Sequence, residues 1–153
     1  MNKKTSLQKR ISRLIRNWAV AVGCGLLFLF LLKFVLFLGY VPSASMEPTI
    51  KSGSFIFGVR ILGELKRRDV VIFEHCGMIL IKRIAALPGD TVYIDEAGSV
   101  FINEMITNQV FVLLVPKEKY FVIGDNYEYS IDSRYWSDPF ISRSEIIARM
   151  LWR

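Results

Sequence analysis

Chemistry-bearing residues are scarce in this chain of 153 residues: it holds one histidine, His75, and two cysteines, Cys24 and Cys76. A zinc site needs about four His, Cys or carboxylate ligands at short spacing, and nothing here supplies them, so no metal and no other cofactor is expected. A disulfide is excluded too if Cys24 lies within a bilayer and Cys76 outside it. His75 beside Cys76 offers a formal Cys-His pair, but neighbours on a strand point to opposite faces, so the pair is set aside. There is no GxxxxGK[ST] loop, no internal repeat and no low-complexity linker.

Acidic residues are missing from the first 16 positions, whereas Lys3, Lys4, Lys9, Arg10, Arg13 and Arg16 lie there. These six account for the whole formal charge of +6, and the remainder holds 14 basic and 14 acidic side chains. A neutral body offers no basic stripe, so no nucleic acid is expected as a partner.

What is abundant is apolar: 52% of residues are hydrophobic and mean hydropathy is +0.35. The run from Trp18 to Leu38, at about 1.5 Å per residue, would span about 30 Å as a helix, the thickness of a bilayer core. Lys33 sits near its outer end, where a long stem lets an ammonium reach the headgroups. Basic residues before such a run place it with the positive end cytoplasmic. The expected organisation is a cytoplasmic arm (1–17), a transmembrane helix (18–38) and an extracytoplasmic domain (39–153) in the plasma membrane. A signal peptide cleaved near Ser43-Ala44-Ser45 is the competing reading, but its apolar region would be shorter.

Past the run, short β-branched and aromatic segments alternate with turn signals: SFIFGVR (54–60), DVVIFE (69–74), MILIKRIA (78–85), TVYID (91–95), SVFIN (99–103), VFVLLV (110–115) and YFVIG (120–124). Asp95-Glu96-Ala97-Gly98 reads as a hairpin loop, and Pro88-Gly89-Asp90 and Gly124-Asp125-Asn126 as tight turns. The fold class is mostly β, one N-terminal helix followed by a small antiparallel sheet domain. The last stretch, SRSEIIARMLWR, reads as a closing strand, with a helix as the alternative.

With histidine set aside, the remaining base is lysine. Period-two alternation puts Leu80, Lys82 and Ile84 on one face of a strand and Ile81, Arg83 and Ala85 on the other, so one of the two cations is drawn inward. An edge strand blunted by charge is the other reading. A lysine serving as base must be neutral, and burial among apolar groups lowers its pKa.

The segments PSASMEPT, RRDVVIF, IKRIAALPGD and GDNYEYSIDSRYW resemble, in order, the four boxes of the type I signal peptidase family. The resemblance implies a membrane-bound Ser-Lys serine endopeptidase that removes signal peptides from exported pre-proteins, a monomer in contact with the lipid bilayer. It implies Ser45 as nucleophile, Lys82 as general base, Ser43 as a hydroxyl assisting the oxyanion, Ser130 as the hydroxyl orienting the lysine, and Asp132 with Arg134 as a supporting charged pair. Val41, Pro42, Met46, Ile50 and Ile81 match positions lining the family's pockets. The branch with histidine at the base position does not fit, since this chain has Lys82. NYEYS departs from a more charged NRDNS-like run, and Leu80 stands where some members have an aromatic residue. A catalytically silent relative acting in assembly is the alternative, and both Ser45 and Lys82 argue against it.

Overall fold

Alternating apolar residues that end in Cys76-Gly77 fold back on themselves, and this hairpin is the centre of the domain. In the computed structural model, which describes residues 3–60 and 63–151, strand β3 (Val70–His75) pairs antiparallel with β4 (Met78–Ala86), with His75 opposite Met78. The two turn residues both have positive φ, 50° at Cys76 and 76° at Gly77. That is the primed geometry which matches the twist of the flanking strands in a two-residue hairpin. Cys76 therefore lies in the turn and not on the strand beside His75.

The remaining strands are β1 (Leu36–Tyr40), β2 (Phe55–Val59), β5 (Thr91–Asp95), β6 (Val100–Ile102), β7 (Gln109–Leu114), β8 (Lys119–Ile123), β9 (Ile141–Ser142) and β10 (Ile146–Met150). They form a seven-stranded sheet in the order β1-β2-β10-β3-β4-β8-β9 and a three-stranded sheet in the order β6-β5-β7. The mostly β, antiparallel reading of the sequence is thus what the molecule adopts, and each of the seven expected segments contributes a strand. The closing segment combines both readings: a 3₁₀ turn at Arg143–Glu145, opened by a Ser142/Glu145 capping box, leads into β10.

The chain divides into two compact units, one ending at Leu36 and the other starting at Phe37. In the first, helix α1 (Lys3–Phe30) passes into a π-helical turn at Leu31–Val35. One stretch, Ser12–Val35, is long and apolar enough to cross a membrane, and none of its residues is buried. The apolar run was expected to be helical as far as Leu38, but Leu36–Tyr40 is extended. There the backbone joins β2 in the sheet and Phe37 packs against the domain core, so tertiary pairing overrides the helical reading.

β3 is covered on both sides. Val70 and Ile72 face one cluster with Val41, Met46, Ile56 and Ala148, while Val71 and Phe73 face another with Ile84, Val122 and Ile141. Phe73 is fully buried, and cutting such a side chain to alanine costs about 3–5 kcal/mol. A rigid two-faced β3 fixes β4 beside it through six paired residues, including Val71 opposite Lys82. In contrast, Val110, Phe111, Val112 and Leu114 on β7, at the margin of the small sheet, stay exposed.

Candidate active site

β8 pairs with β4 only from Arg83 onward, so the outer edge of β4 between Met78 and Lys82 has no strand against it among the described residues. A cleft of about 220 Å³ opens there, lined by Tyr40, Val41, Pro42, Ser43, Ser45, Ile56, Ile72, Ile79, Leu80, Ile81 and Lys82. Its lining side chains are apolar apart from the hydroxyls of Tyr40, Ser43 and Ser45 and the amine of Lys82. The loop 41–54 is tied at its base by Val41 N–H to Ser54 O and Gly53 N–H to Val41 O, which holds the serines over the cleft.

Lys82 is 3% exposed and Ser45 6%. The Lys82 Nζ lies 2.7 Å from Ser45 Oγ, to which it donates, and Ser43 Oγ lies 3.3 Å from the same oxygen. Burial pulls the Lys82 pKa below the ordinary lysine value; Asp132 opposes that shift, Arg134 adds to it and Asp125 opposes it. An amine that loses its charge in a dry cleft can accept a proton from a hydroxyl it touches.

Behind the lysine, Asp132 is fully buried and accepts from Gly124 N–H at 2.9 Å, Ser130 Oγ at 2.7 Å and Arg134 Nε at 2.8 Å. Burial alone would raise its pKa, but Arg134, the Gly124 amide and Ser130 together hold it below the usual carboxylate range. Arg134 also donates to Tyr127 O and Ser130 O and lies over the Tyr127 ring. The expected hydroxyl, Ser130, is thus next to the lysine's carboxylate neighbour: it donates to Asp132, whereas the hydrogen bond of Lys82 goes to Ser45.

Gly124 is required by close approach. A Cβ there would lie 2.2 Å from Ser130 Oγ and 2.5 Å from Ser45 O, and neither neighbour is a flexible chain end. The next residues of the same turn reach both ways. Asp125 forms a two-point ion pair with Arg83, at 2.7 and 2.6 Å, and Asn126 binds the backbone of the Ser45 loop.

Of the residues matched from sequence, Ser43, Ser45, Lys82, Val41, Pro42 and Ile81 meet at the cleft, and Ser130, Asp132 and Arg134 back it. Met46 and Ile50 do not line it. They are 0% and 4% exposed and pack in the core, because large apolar side chains of a loop folded over a sheet are drawn inward. Sequence reading missed Tyr40, Ile56, Ile72, Ile79 and Leu80. Only the alternation along MILIK carried a signal for the last two. His75 is occupied elsewhere, bonded to Glu145 and stacked on Trp136 at 4.4 Å. Among the described residues no His, Cys and carboxylate cluster could hold a metal ion.

An apolar helix followed in sequence by a β domain that holds a buried serine beside a lysine fits the class of membrane-anchored serine proteases. The family model described as signal peptidase, peptidase S26, matches residues 15–113 and 106–153, and the chain belongs to that family. Signal peptidase I P of Bacillus subtilis subsp. natto is 31% identical over 153 aligned positions, covering 83% of this chain and 82% of that one. Signal peptidase I of Bacillus licheniformis is 31% identical over 160 positions, covering 88% and 84%. The probable signal peptidase I-2 of Synechocystis is 30% identical over 135 positions and 74% of this chain, which spans 61% of that relative's length. A crystal structure of a signal peptidase I from Enterococcus faecalis overlaps 57% of this chain and 97% of its own at 26% identity and a TM-score of 0.46. The chain's function is that of a signal peptidase.

Proposed function

We propose that this signal peptidase cleaves signal peptides from exported pre-proteins with Ser45 as nucleophile and Lys82 as general base. The observation that carries this reading is the 2.7 Å contact between Ser45 Oγ and the buried Nζ of Lys82.

The chemistry follows from that contact. Neutral Lys82 takes the Ser45 proton as Oγ adds to the scissile carbonyl carbon, and the carbonyl electron pair moves onto oxygen. Ser43 and a backbone N–H donate to that oxyanion, the kind of preorganised stabilisation that provides a large rate term. Protonated Lys82 then gives its proton to the leaving amine as the C–N bond breaks, leaving an ester on Ser45. Lys82 next takes a proton from water, whose hydroxide adds to the ester carbonyl; the C–Oγ bond then breaks as Lys82 returns the proton to Ser45 Oγ, and the signal peptide leaves with a new carboxyl end. Asp132, Arg134 and Ser130 form one charged network whose field acts on the lysine. The unpaired edge of β4 from Met78 to Lys82 suits an extended peptide that adds main-chain hydrogen bonds, while Val41, Pro42 and Ile81 favour small apolar side chains. No cofactor enters any step.

The basic arm (1–17) is placed in the cytoplasm, the apolar helix in the plasma membrane and the domain on the far side, as a monomer in contact with lipid. Exposed Phe55 and Phe57 supply apolar surface for that contact.

Incubating the detergent-solubilised full chain with a pre-protein tests the chemistry: cleavage is expected from the native protein and none from Ser45→Ala or Lys82→Ala. Cleavage by Ser45→Ala would overturn the mechanism. Topology is read separately, by adding protease to spheroplasts. The domain is expected to be digested, and its protection would reverse the orientation.

A further inference from the structure

Asn126 makes two contacts with the loop that carries Ser45, and both fall on consecutive backbone carbonyls. Its own N–H donates to Ser45 O at 3.0 Å, and its side-chain Nδ2 donates to Ala44 O at 3.1 Å. These atoms are 82 positions apart in sequence, so the Gly124–Asn126 turn after β8 grips the loop from outside. The Ala44 carbonyl also accepts from Glu47 N–H at 3.1 Å, but that bond closes a turn within the loop and moves with it. Among the described residues, Asn126 alone ties the carbonyl to a segment outside the loop.

The consequence lies on the opposite side of the peptide. In a planar trans peptide the carbonyl and the N–H of the next residue point in opposite directions. Holding Ala44 O on Asn126 directs the Ser45 N–H away from Asn126 and towards the cleft that Ser45 lines. That N–H donates to no backbone acceptor outside regular elements among the described residues, so it is available to the oxygen of a substrate carbonyl attacked by Ser45 Oγ. We infer that Asn126 is a positioning residue whose side-chain amide fixes the Ala44–Ser45 peptide with its N–H facing the developing oxyanion. The inference rests on the proposed role of Ser45 as nucleophile.

Asn126→Asp keeps the volume and the backbone bond to Ser45 O but replaces the donating amide with an acceptor that repels Ala44 O. Asn126→Ala removes the side chain without adding charge. Both are measured as detergent-solubilised full chain at a pH high enough for the rate to have reached its plateau, so that a change in Lys82 protonation does not enter. The expected result is a fall in kcat of about 10- to 100-fold, since deleting an oxyanion donor outright costs about 10²–10³. KM and Tm should stay near the native values. Affinity for a peptide aldehyde, which adds to the serine and places an oxygen where the oxyanion forms, should fall by the same factor as kcat. A kcat within about 3-fold of native, or equal losses in KM, aldehyde affinity and Tm, or failure of both variants to fold, overturns the inference and leaves Asn126 a structural residue. Ser45→Ala in parallel separates the two readings: if it still cleaves, the nucleophile is wrong, whereas an inert Ser45→Ala beside a fully active Asn126→Ala refutes the positioning role alone.

Discussion

Lys82 and Arg83 are adjacent cations on β4, yet the two faces of that strand treat them in opposite ways. On one face is the apolar cleft of about 220 Å³, where Lys82 touches a hydroxyl and forms no ion pair among the described residues. On the other is a wider, polar cavity of about 680 Å³ lined by Thr49, Arg68, Arg83, Asp125 and Tyr127 among others. There Arg83 is clamped by Asp125, and the pair stabilises both charges: the arginine pKa is raised chiefly by the Asp125 hydrogen bond. Burial would raise the Asp125 pKa, but Arg83, Thr49 and Arg68 hold it low. Two neighbouring positive residues thus end with opposite pKa shifts, Lys82 lowered by burial and Arg83 raised by Asp125. The larger cavity is not the one that holds the buried Ser45–Lys82 contact, so solvation, more than size, distinguishes the two sites.

Exchanging the residue types across the two faces gives the strongest test. Lys82→Arg places on the dry face a group that does not deprotonate in proteins, and single-turnover cleavage should fall by at least about 10⁴-fold, the scale of losing a catalytic base. The loss should persist at every pH between about 6 and 10. Activity that reappears at high pH would mean that the dry face does not select for a neutral base.

Removing the charge from the wet face should hurt stability more than catalysis. Arg83→Met leaves Asp125 without its two-point partner, and urea unfolding should show a loss of about 1–3 kcal/mol, the cost of an unsatisfied partly buried group. The kcat is expected to change by less than about 10-fold. A greater fall in kcat with unaltered stability would assign Arg83 to the reaction.

The smallest effect is a slope. Because the folded pKa of Lys82 is lowered, the unfolded chain binds more protons between that value and the ordinary lysine pKa of about 10.4. Stability therefore rises with pH through that window and levels off above it. Lys82→Met should lack this component, so the difference in unfolding free energy between native protein and variant should narrow as pH climbs from neutral towards 10. Parallel curves would show that the lysine is not destabilised by its surroundings.

Much of this arrangement was legible in the sequence because a strand has a strict period of two. MILIKRIA suggests that either Lys82 or Arg83 faces inward but does not say which, since Leu80 and Ile84 flank the one and Ile81 and Ala85 the other. What the period cannot show is which loops close over that face. Met46 and Ile50 look like pocket residues in the string SMEPTI, yet they point into the core, because the direction of a side chain in an irregular loop depends on backbone angles with no periodic trace. The extended conformation of Leu36–Tyr40 was hidden for a related reason: nothing in an apolar run distinguishes its last helical turn from a strand until a partner, here β2, is available. Asn126 was likewise invisible, since its contacts with Ala44 and Ser45 join positions about half the chain apart.

The two-residue turn Cys76-Gly77 decides more than where the chain reverses. It sets the phase of β4 against β3, and the phase determines which of two consecutive letters in the sequence lies against Ser45. One extra residue in that turn, absorbed as a slip of the strand, would carry Ile81 to the place of Lys82 and Lys82 to the place of Arg83 beside Asp125. Such a protein would keep its composition to within one residue and much of its sheet, yet lose the contact between Lys82 and Ser45. The code for that contact is therefore partly a count of residues between reversal and lysine, a quantity that insertions and deletions alter and that substitutions leave intact.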